Sequence, residues 1–364
     1  MLLAVVPVER YASRNALRFL DTEDWGFRDA ARMARDEARH ASILCLGDSQ
    51  LKAGLLPQAL EERTGRRALN LALIGGQVEA ADSLFRTALE NGARPEALVI
   101  DAFPKLLATP PSFNRWRWAS MLGFGEALDM AWFANDPELF GSVALAKVLP
   151  TLRGRNALRD NVKAALEGRI DSRCWANFAL LRQWRKNSGA AILHPTARGG
   201  EQDKATLDAW MVGYFSTLRV EPVHARAVER LLATALDRRV PVFWVLMPHL
   251  PAVQDYCEAT GYDAAHRALL LGWQKRFPNL IVIDATRATD DPKAFYDPHH
   301  LSADGAYPFS VALGDVIREA LDSPERPRMA RLAAFRSRPL PGGIEDVEGT
   351  VAAIAELNSK RRRR

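Results

Sequence analysis

Between Ser42 and Ile100 short apolar runs alternate with amphipathic stretches, and this alternation leaves few folds open. Ser42–Leu46 (SILCL) is a continuous apolar run that stops at Gly47, too short for a helix, and reads as a buried strand. A helix is expected next, with Pro57 near its first turn and Gly65 at its end (PQALEERTG). Ala68–Leu73 (ALNLAL) reads as a second strand closed by Gly75 and Gly76. Ala80–Asn91 is amphipathic and helical, with Gly92 as its stop, and Ala97–Ile100 starts a third strand. Strands alternating with helices imply a parallel sheet covered on both faces.

The pattern returns late in the chain. Val223–Arg238 reads as a helix, Val240–Met247 (VPVFWVLM) as a strand, Ala264–Phe277 as a helix and Asn279–Asp284 as a fifth strand. Phe309–Leu321 closes the series, with Phe309, Leu313, Val316, Ile317 and Leu321 on one stripe. The expected fold is α/β: a three-layer αβα sandwich on a mostly parallel sheet of about five strands, occupying residues 41–322.

Between the third and fourth strands, over about 108–222, no strand pattern is visible. We read this stretch as a helical insertion capping one end of the sheet. Its Trp116, Trp118, Trp132, Trp175, Trp184 and Trp210 read first as core anchors of the cap, with a substrate groove as the other reading.

Residues 1–40 have a helical pattern and open on the apolar run Leu2–Val6. That run is shorter than the about 20 residues a membrane span needs. It also lacks the basic flank and cleavage site of a signal peptide. It leaves open a remnant of a membrane anchor, and with it membrane association through the N-terminus. The location is therefore undetermined: cytoplasmic as the chain is written, cell envelope if an anchor lies upstream. From Ser323 the composition turns to Pro, Arg and Gly, which reads as a linker. A short helix is expected over 344–357, ahead of the basic tail Lys360–Arg364. That tail carries five positive charges, equal to the formal net charge of +5, so the rest of the chain is neutral. No basic stripe with interleaved aromatics exists, and no nucleic-acid partner is expected. The three cysteines, Cys45, Cys174 and Cys257, form no CxxC pair, which supports neither a zinc site nor a disulfide framework. Cys45 reads as a small core residue.

Two motifs carry chemistry. Gly47-Asp48-Ser49-Gln50 follows the first strand, at the edge where parallel α/β sheets place their sites. Asp297-Pro298-His299-His300-Leu301-Ser302 follows the last expected strand. A serine hydroxyl needs a base in hydrogen-bond reach, and a carboxylate orients that base. An Asp-x-x-His turn lets the carboxylate fold back onto the imidazole three residues on.

With these two blocks, and with Asn70-Leu71-Ala72-Leu73-Ile74-Gly75-Gly76 between them, the chain resembles the SGNH/GDSL hydrolase family over roughly residues 40–321, apart from the insertion. The resemblance implies Ser49 as nucleophile, His300 as base and Asp297 as its orienting carboxylate. It implies an oxyanion hole from the N–H groups of Ser49 and Gly75, with Gly76 as the alternative. The family's third block, Gly-x-Asn-Asp, is absent. Here the third strand runs into Asp101-Ala102-Phe103-Pro104, and Asn114 is the nearest later asparagine, with nothing in its local context to recommend it. Loss of an oxyanion donor typically costs about 10²–10³ in rate. Relatives of the family that O-acetylate exported polysaccharides also lack that asparagine.

Of the neighbours, Asp48 is expected to hydrogen-bond backbone near the turn. Lys52 reads as a solvated lysine, with polarisation of a substrate as the other reading. His249 is expected near the same sheet edge, as a pocket or plain loop residue. His299 is the residue that could be mistaken for the base. The expected activity is hydrolysis of a small-molecule or glycan ester through an acyl-serine, with no metal or organic cofactor. O-acyl transfer to cell-surface polysaccharide and a catalytically weak binding or scaffold module are the alternatives.

Overall fold

The computed structural model describes residues 22–154, 171–193, 204–215, 218–323 and 325–346, with a few further positions between 7 and 15 and between 159 and 167. Its helices and strands, in chain order, are α1 (Thr22–Asp36), β1 (Ile43–Leu46), α2 (Ser49–Gly54), α3 (Pro57–Thr64), β2 (Ala68–Asn70), α4 (Val78–Glu90) and β3 (Ala97–Ile100). There follow α5 (Pro104–Leu107), α6 (Phe124–Phe133), α7 (Pro137–Val148), α8 (Asp171–Lys186) and α9 (Lys204–Phe215). Then come α10 (Pro222–Asp237), β4 (Val242–Leu246), α11 (Pro251–Ala259), α12 (Tyr262–Arg276), β5 (Leu280–Asp284), α13 (Ala303–Asp322) and β6 (Met329–Arg331).

All six strands are parallel, in the order β2-β1-β3-β4-β5-β6. Because side chains alternate along a strand, the sheet divides the core in two. Leu44, Leu46, Leu98, Ile100, Trp244 and Val282 join one cluster with residues of α1, α4 and α10. Ile43, Cys45, Val99, Phe243, Ile281 and Ile283 join the other with α3 and α13. Both faces are dry, which is why these strands read as unbroken apolar runs and not as alternating ones. The strand order reverses around β1, so the chain leaves β1 and β3 toward a crevice at their carboxyl ends.

Several elements depart from the sequence reading. β2 ends at Asn70 because the Asn70 side chain takes over the local bonding. Its Oδ1 accepts the Ala72 N–H at 3.0 Å and its amide donates to the Leu51 and Leu55 carbonyls. α13 begins at Ala303, six residues before the expected start, capped by Ser302. Pro308 inside it lacks the N–H that would reach the Asp304 carbonyl. That carbonyl instead accepts the Arg338 N–H at 2.9 Å. Arg338 belongs to the segment read as a linker, and that reading is corrected. The segment contains β6, a sixth strand whose neighbours Leu332 and Phe335 are buried against α13. β6 escaped notice because it is a three-residue edge strand with two outward-facing ends, Met329 and Arg331.

The stretch between β3 and β4 is helical among the described residues, but it does not form a single cap. α6 and α7 extend the first core cluster, and Phe215 of α9 packs with Phe103, Val253 and Tyr262. The chain after α8 returns to the β2 edge, where Asn70 N–H donates to the Ser188 carbonyl. Gly189 there has φ +96°, and a Cβ would collide with the Asn70 carbonyl. Trp118 and Trp184 are buried, as anchors should be, whereas Trp132 is 78% exposed. The apolar run Leu2–Val6, the side chains of Cys174 and Trp175, the basic tail and most of the helix expected over 344–357 lie outside the described residues.

Candidate active site

The turn after β1 is built around two buried carboxyls. A Cβ at Gly47 would collide with the Asp101 carboxyl, so only glycine lets the turn pass. The Asp48 N–H donates to Asp101 Oδ1 at 2.9 Å. Asp48 Oδ1 accepts from the Gln50 N–H and Oδ2 from the Phe103 N–H, at 2.8 and 2.6 Å. Asp48 thus bonds backbone, as expected, and caps α2 with Ser49 at its first position. Burial pushes both carboxyls up, Asp101 furthest because the Asp48 charge adds to burial.

The turn after β5 is tied by its own aspartate. Asp297 Oδ1 accepts the N–H groups of His299 and His300, both at 2.9 Å. Asp297 Oδ2 lies 2.7 Å from His300 Nδ1, and His300 Nε2 lies 2.8 Å from Ser49 Oγ. Burial raises the Asp297 carboxyl, but hydrogen bonds from His299 and His300 outweigh it and hold the group well below the usual carboxylate range. An ionised carboxylate only accepts, so Nδ1 of His300 is the donor to Asp297, and in the neutral ring Nε2 is the acceptor that faces the serine. The turn that carries His300 is fixed to the turn that carries Ser49 by Gln50, whose amide donates to the His299 carbonyl at 2.8 Å. His299 is not the residue at Ser49. Its ring stacks on Phe103 and leans on Trp210, with centroids 5.4 and 5.1 Å away.

The glycine turn after β2 abuts the turn that carries Ser49, since the Leu73 N–H donates to the Gly47 carbonyl at 3.0 Å. The Gly76 N–H closes a bond to the Leu73 carbonyl at 3.0 Å. Gly75, at φ +65°, makes no such bond among the described residues. Asn114, passed over in the sequence as a replacement oxyanion donor, is a buried support of this turn. Its amide donates to the Gly75 carbonyl at 2.9 Å and to Gln77 Oε1 at 3.1 Å, which engages both of its protons.

The reading of Lys52 as solvated is corrected, because the residue is buried. Its ammonium donates to the Ala72 and Gly189 carbonyls, at 3.1 and 3.0 Å, and lies 4.3 Å from the Trp184 ring centre. Burial lowers it to about 8. It bridges the segment after β2, which leads into the glycine turn, to the returning insertion. His249 does line a pocket at this edge. Its Nε2 is 3.2 Å from the Gln50 amide, and burial pushes the ring down to about 3. With Gln50, Asp101, Tyr262 and His266 it lines a cavity of about 30 Å³ open to a water-sized molecule. Gln50, Asp101 and His266 were not singled out from sequence. The available signals were a polar residue ending β3 and another beside the serine.

Among the described residues, Asp297, His299 and His300 form the one group whose ligand atoms come within 4.8 Å of one another. A cation there would have to displace the Ser49–His300–Asp297 hydrogen bonds. A larger cleft of about 240 Å³ lies elsewhere, beside Arg86, Asp129, Arg226 and Arg230, and holds none of the residues above except the base of α4. Compared with known proteins, the chain matches no protein-family model and no curated sequence.

Proposed function

We propose that the protein is a divergent serine esterase of the SGNH/GDSL type, with a flavodoxin-like αβα arrangement. The observation that carries this reading is the unbroken chain from Ser49 Oγ to His300 Nε2 and from His300 Nδ1 to Asp297, at 2.8 and 2.7 Å. In this reading Ser49 Oγ attacks the ester carbonyl carbon while His300 Nε2 takes the hydroxyl proton. The tetrahedral oxyanion accepts from the Ser49 and Gly75 N–H groups. Its collapse breaks the ester C–O bond, and His300 returns the proton to the departing alcohol oxygen. Water, deprotonated by His300, then releases the acid from the acyl-serine. The triad supplies nucleophile, base and orienting carboxylate, so the reading calls for no cofactor.

One observation favours a second reading, acyl transfer to a sugar hydroxyl of a cell-surface glycan. Trp210 and Tyr214 stack on each other at 4.6 Å and Trp210 leans on His299, forming an aromatic wall at the triad. Aromatic faces suit the apolar face of a sugar ring.

The test is p-nitrophenyl acetate hydrolysis, with and without added sugar acceptors. Release of p-nitrophenol that depends on Ser49 supports the esterase. Acetylated sugar formed in preference to acetate supports the transferase. No release from folded protein under either condition sinks both.

A further inference from the structure

In the proposed enzyme Gly75 gives an N–H to the oxyanion, and a glycine is the residue least able to keep its own backbone in place. It stands at φ +65°, with no Cβ to limit its rotation. Its orientation has to come from outside. The peptide that follows it is held at both edges. The Gly76 N–H donates to the Leu73 carbonyl at 3.0 Å, and the Gly75 carbonyl accepts from the Asn114 amide at 2.9 Å.

Behind Asn114 the bonding continues inward. Its amide also donates to Gln77 Oε1 at 3.1 Å, and its Oδ1 accepts from Arg117 at 3.0 Å. The Gln77 amide nitrogen lies 2.6 and 3.3 Å from the Thr109 and Pro110 carbonyls. Carbonyls only accept, so the nitrogen faces them and Oε1 is left to face Asn114. The Thr109 carbonyl is also 2.7 Å from His224 Nε2, and His224 Nδ1 bonds Glu79. Asn114, Gln77, His224 and Glu79 are between 0% and 3% exposed. Four polar side chains from three stretches of chain, 77–79, 109–114 and α10, are thus buried together. Such burial costs free energy unless the groups bond one another. The end of this network nearest Ser49 is Gly75.

We propose, resting on the esterase reading of Ser49, His300 and Asp297, that Asn114 and Gln77 are positioning residues: they hold Gly75 so that its N–H meets the oxyanion as it forms. Neither touches the substrate. The chain lacks the asparagine that the family it resembles carries after the third strand. With one donor fewer, the rate depends more on how firmly the remaining donors are set before the charge develops. A misplacement of about 1 Å at a reacting centre costs about 10²-fold.

The experiment compares wild type with Asn114→Asp and Gln77→Met. Asn114→Asp keeps the shape and the acceptor for Arg117 but removes both donated bonds, and Gln77→Met removes the acceptor behind Asn114. Turnover of p-nitrophenyl acetate is expressed per Ser49 that a fluorophosphonate labels at completion, so misfolded chains are not counted. The dissociation constant of phenyl trifluoromethyl ketone is measured alongside. Ser49 Oγ adds to its carbonyl carbon, His300 takes the hydroxyl proton, and the carbonyl oxygen becomes the oxyanion. The expected result is a kcat per site about 10–10²-fold lower in Asn114→Asp and less reduced in Gln77→Met, with KM within about twofold of wild type. The ketone should bind more weakly by the same factor as kcat falls. A network that only cements the fold would lower the number of labelled sites and leave kcat per site unchanged; that result overturns the proposal while the esterase reading stands. So does a raised KM at unchanged kcat. Folded wild type that neither turns over the ester nor binds the ketone removes the esterase reading, and the positioning role with it.

Discussion

At Asp297 one carboxylate serves two backbone N–H groups and an imidazole. Its work is therefore geometric as well as electrostatic: it shapes the turn and fixes which nitrogen of His300 faces Ser49. Asp297→Asn would keep the size but present a donor or a neutral acceptor to Nδ1. In the proposed enzyme kcat for p-nitrophenyl acetate should fall about 10³–10⁴-fold. A fall under tenfold would remove Asp297 from the triad. At Asp101 burial and the Asp48 charge favour the neutral carboxyl, and an amide oxygen can accept the Asp48 N–H in its place, so Asp101→Asn should unfold at the same or higher denaturant concentration. Asp101→Leu leaves the buried Asp48 N–H without an acceptor and should lower stability by about 1–3 kcal/mol. Equal midpoints for the two variants would refute the bonding assigned to that carboxyl. The contact of Asp297 with His300 was legible because the two share one turn, whereas Ser49, 251 residues from His300, was joined to them only through the resemblance of both blocks to the SGNH/GDSL family. Lys52, Gln50, Asn114 and Asp101 were not legible. Their surroundings come from segments 20 to 249 residues away, such as Ala72 and Gly189 for Lys52 and His299 for Gln50, and local composition carries no trace of them.

The elements followed the same division. β1, β3, β4 and β5 were readable because strands dry on both faces are apolar without interruption. β6 was not, since its stability comes from the edge of β5 and from Leu332 and Phe335 reaching α13. Leu332→Ala should cost about 2–4 kcal/mol in a denaturant titration. A cost under half a kilocalorie would show that β6 adds little to the sheet. α2 carries a buried ammonium on its far side. Lys52 has an ordinary value of 10.5 and is lowered to about 8 in the fold. Between these values the unfolded chain holds a proton that the folded chain has released. Folded stability from this group therefore rises with pH across that window, by up to about 3 kcal/mol. Relative to Lys52→Met, wild type should gain stability from pH 8 to 10.5. Parallel stability curves would mean that the ammonium is hydrated after all.

Across the whole molecule, one sheet edge collects the turns after β1, β2, β3, β4 and β5. Ser49, Gly75, Asp101, His249 and Asp297 come from those five turns in that order. The reversal of strand order around β1 lets the first and last of them meet. The insertion adds aromatic rings beside His299 through α9 and exposed apolar residues through α6 and α7. The central claim is that Ser49 is an activated nucleophile. It is tested most directly by treating wild type, Ser49→Ala and His300→Ala with a fluorophosphonate and reading intact mass, followed by peptide mapping. The account predicts one adduct per wild-type chain, on Ser49, with none on Ser49→Ala and at least about 10³-fold slower labelling of His300→Ala. Folded wild type that stays unlabelled, or an adduct that persists in Ser49→Ala, would contradict it.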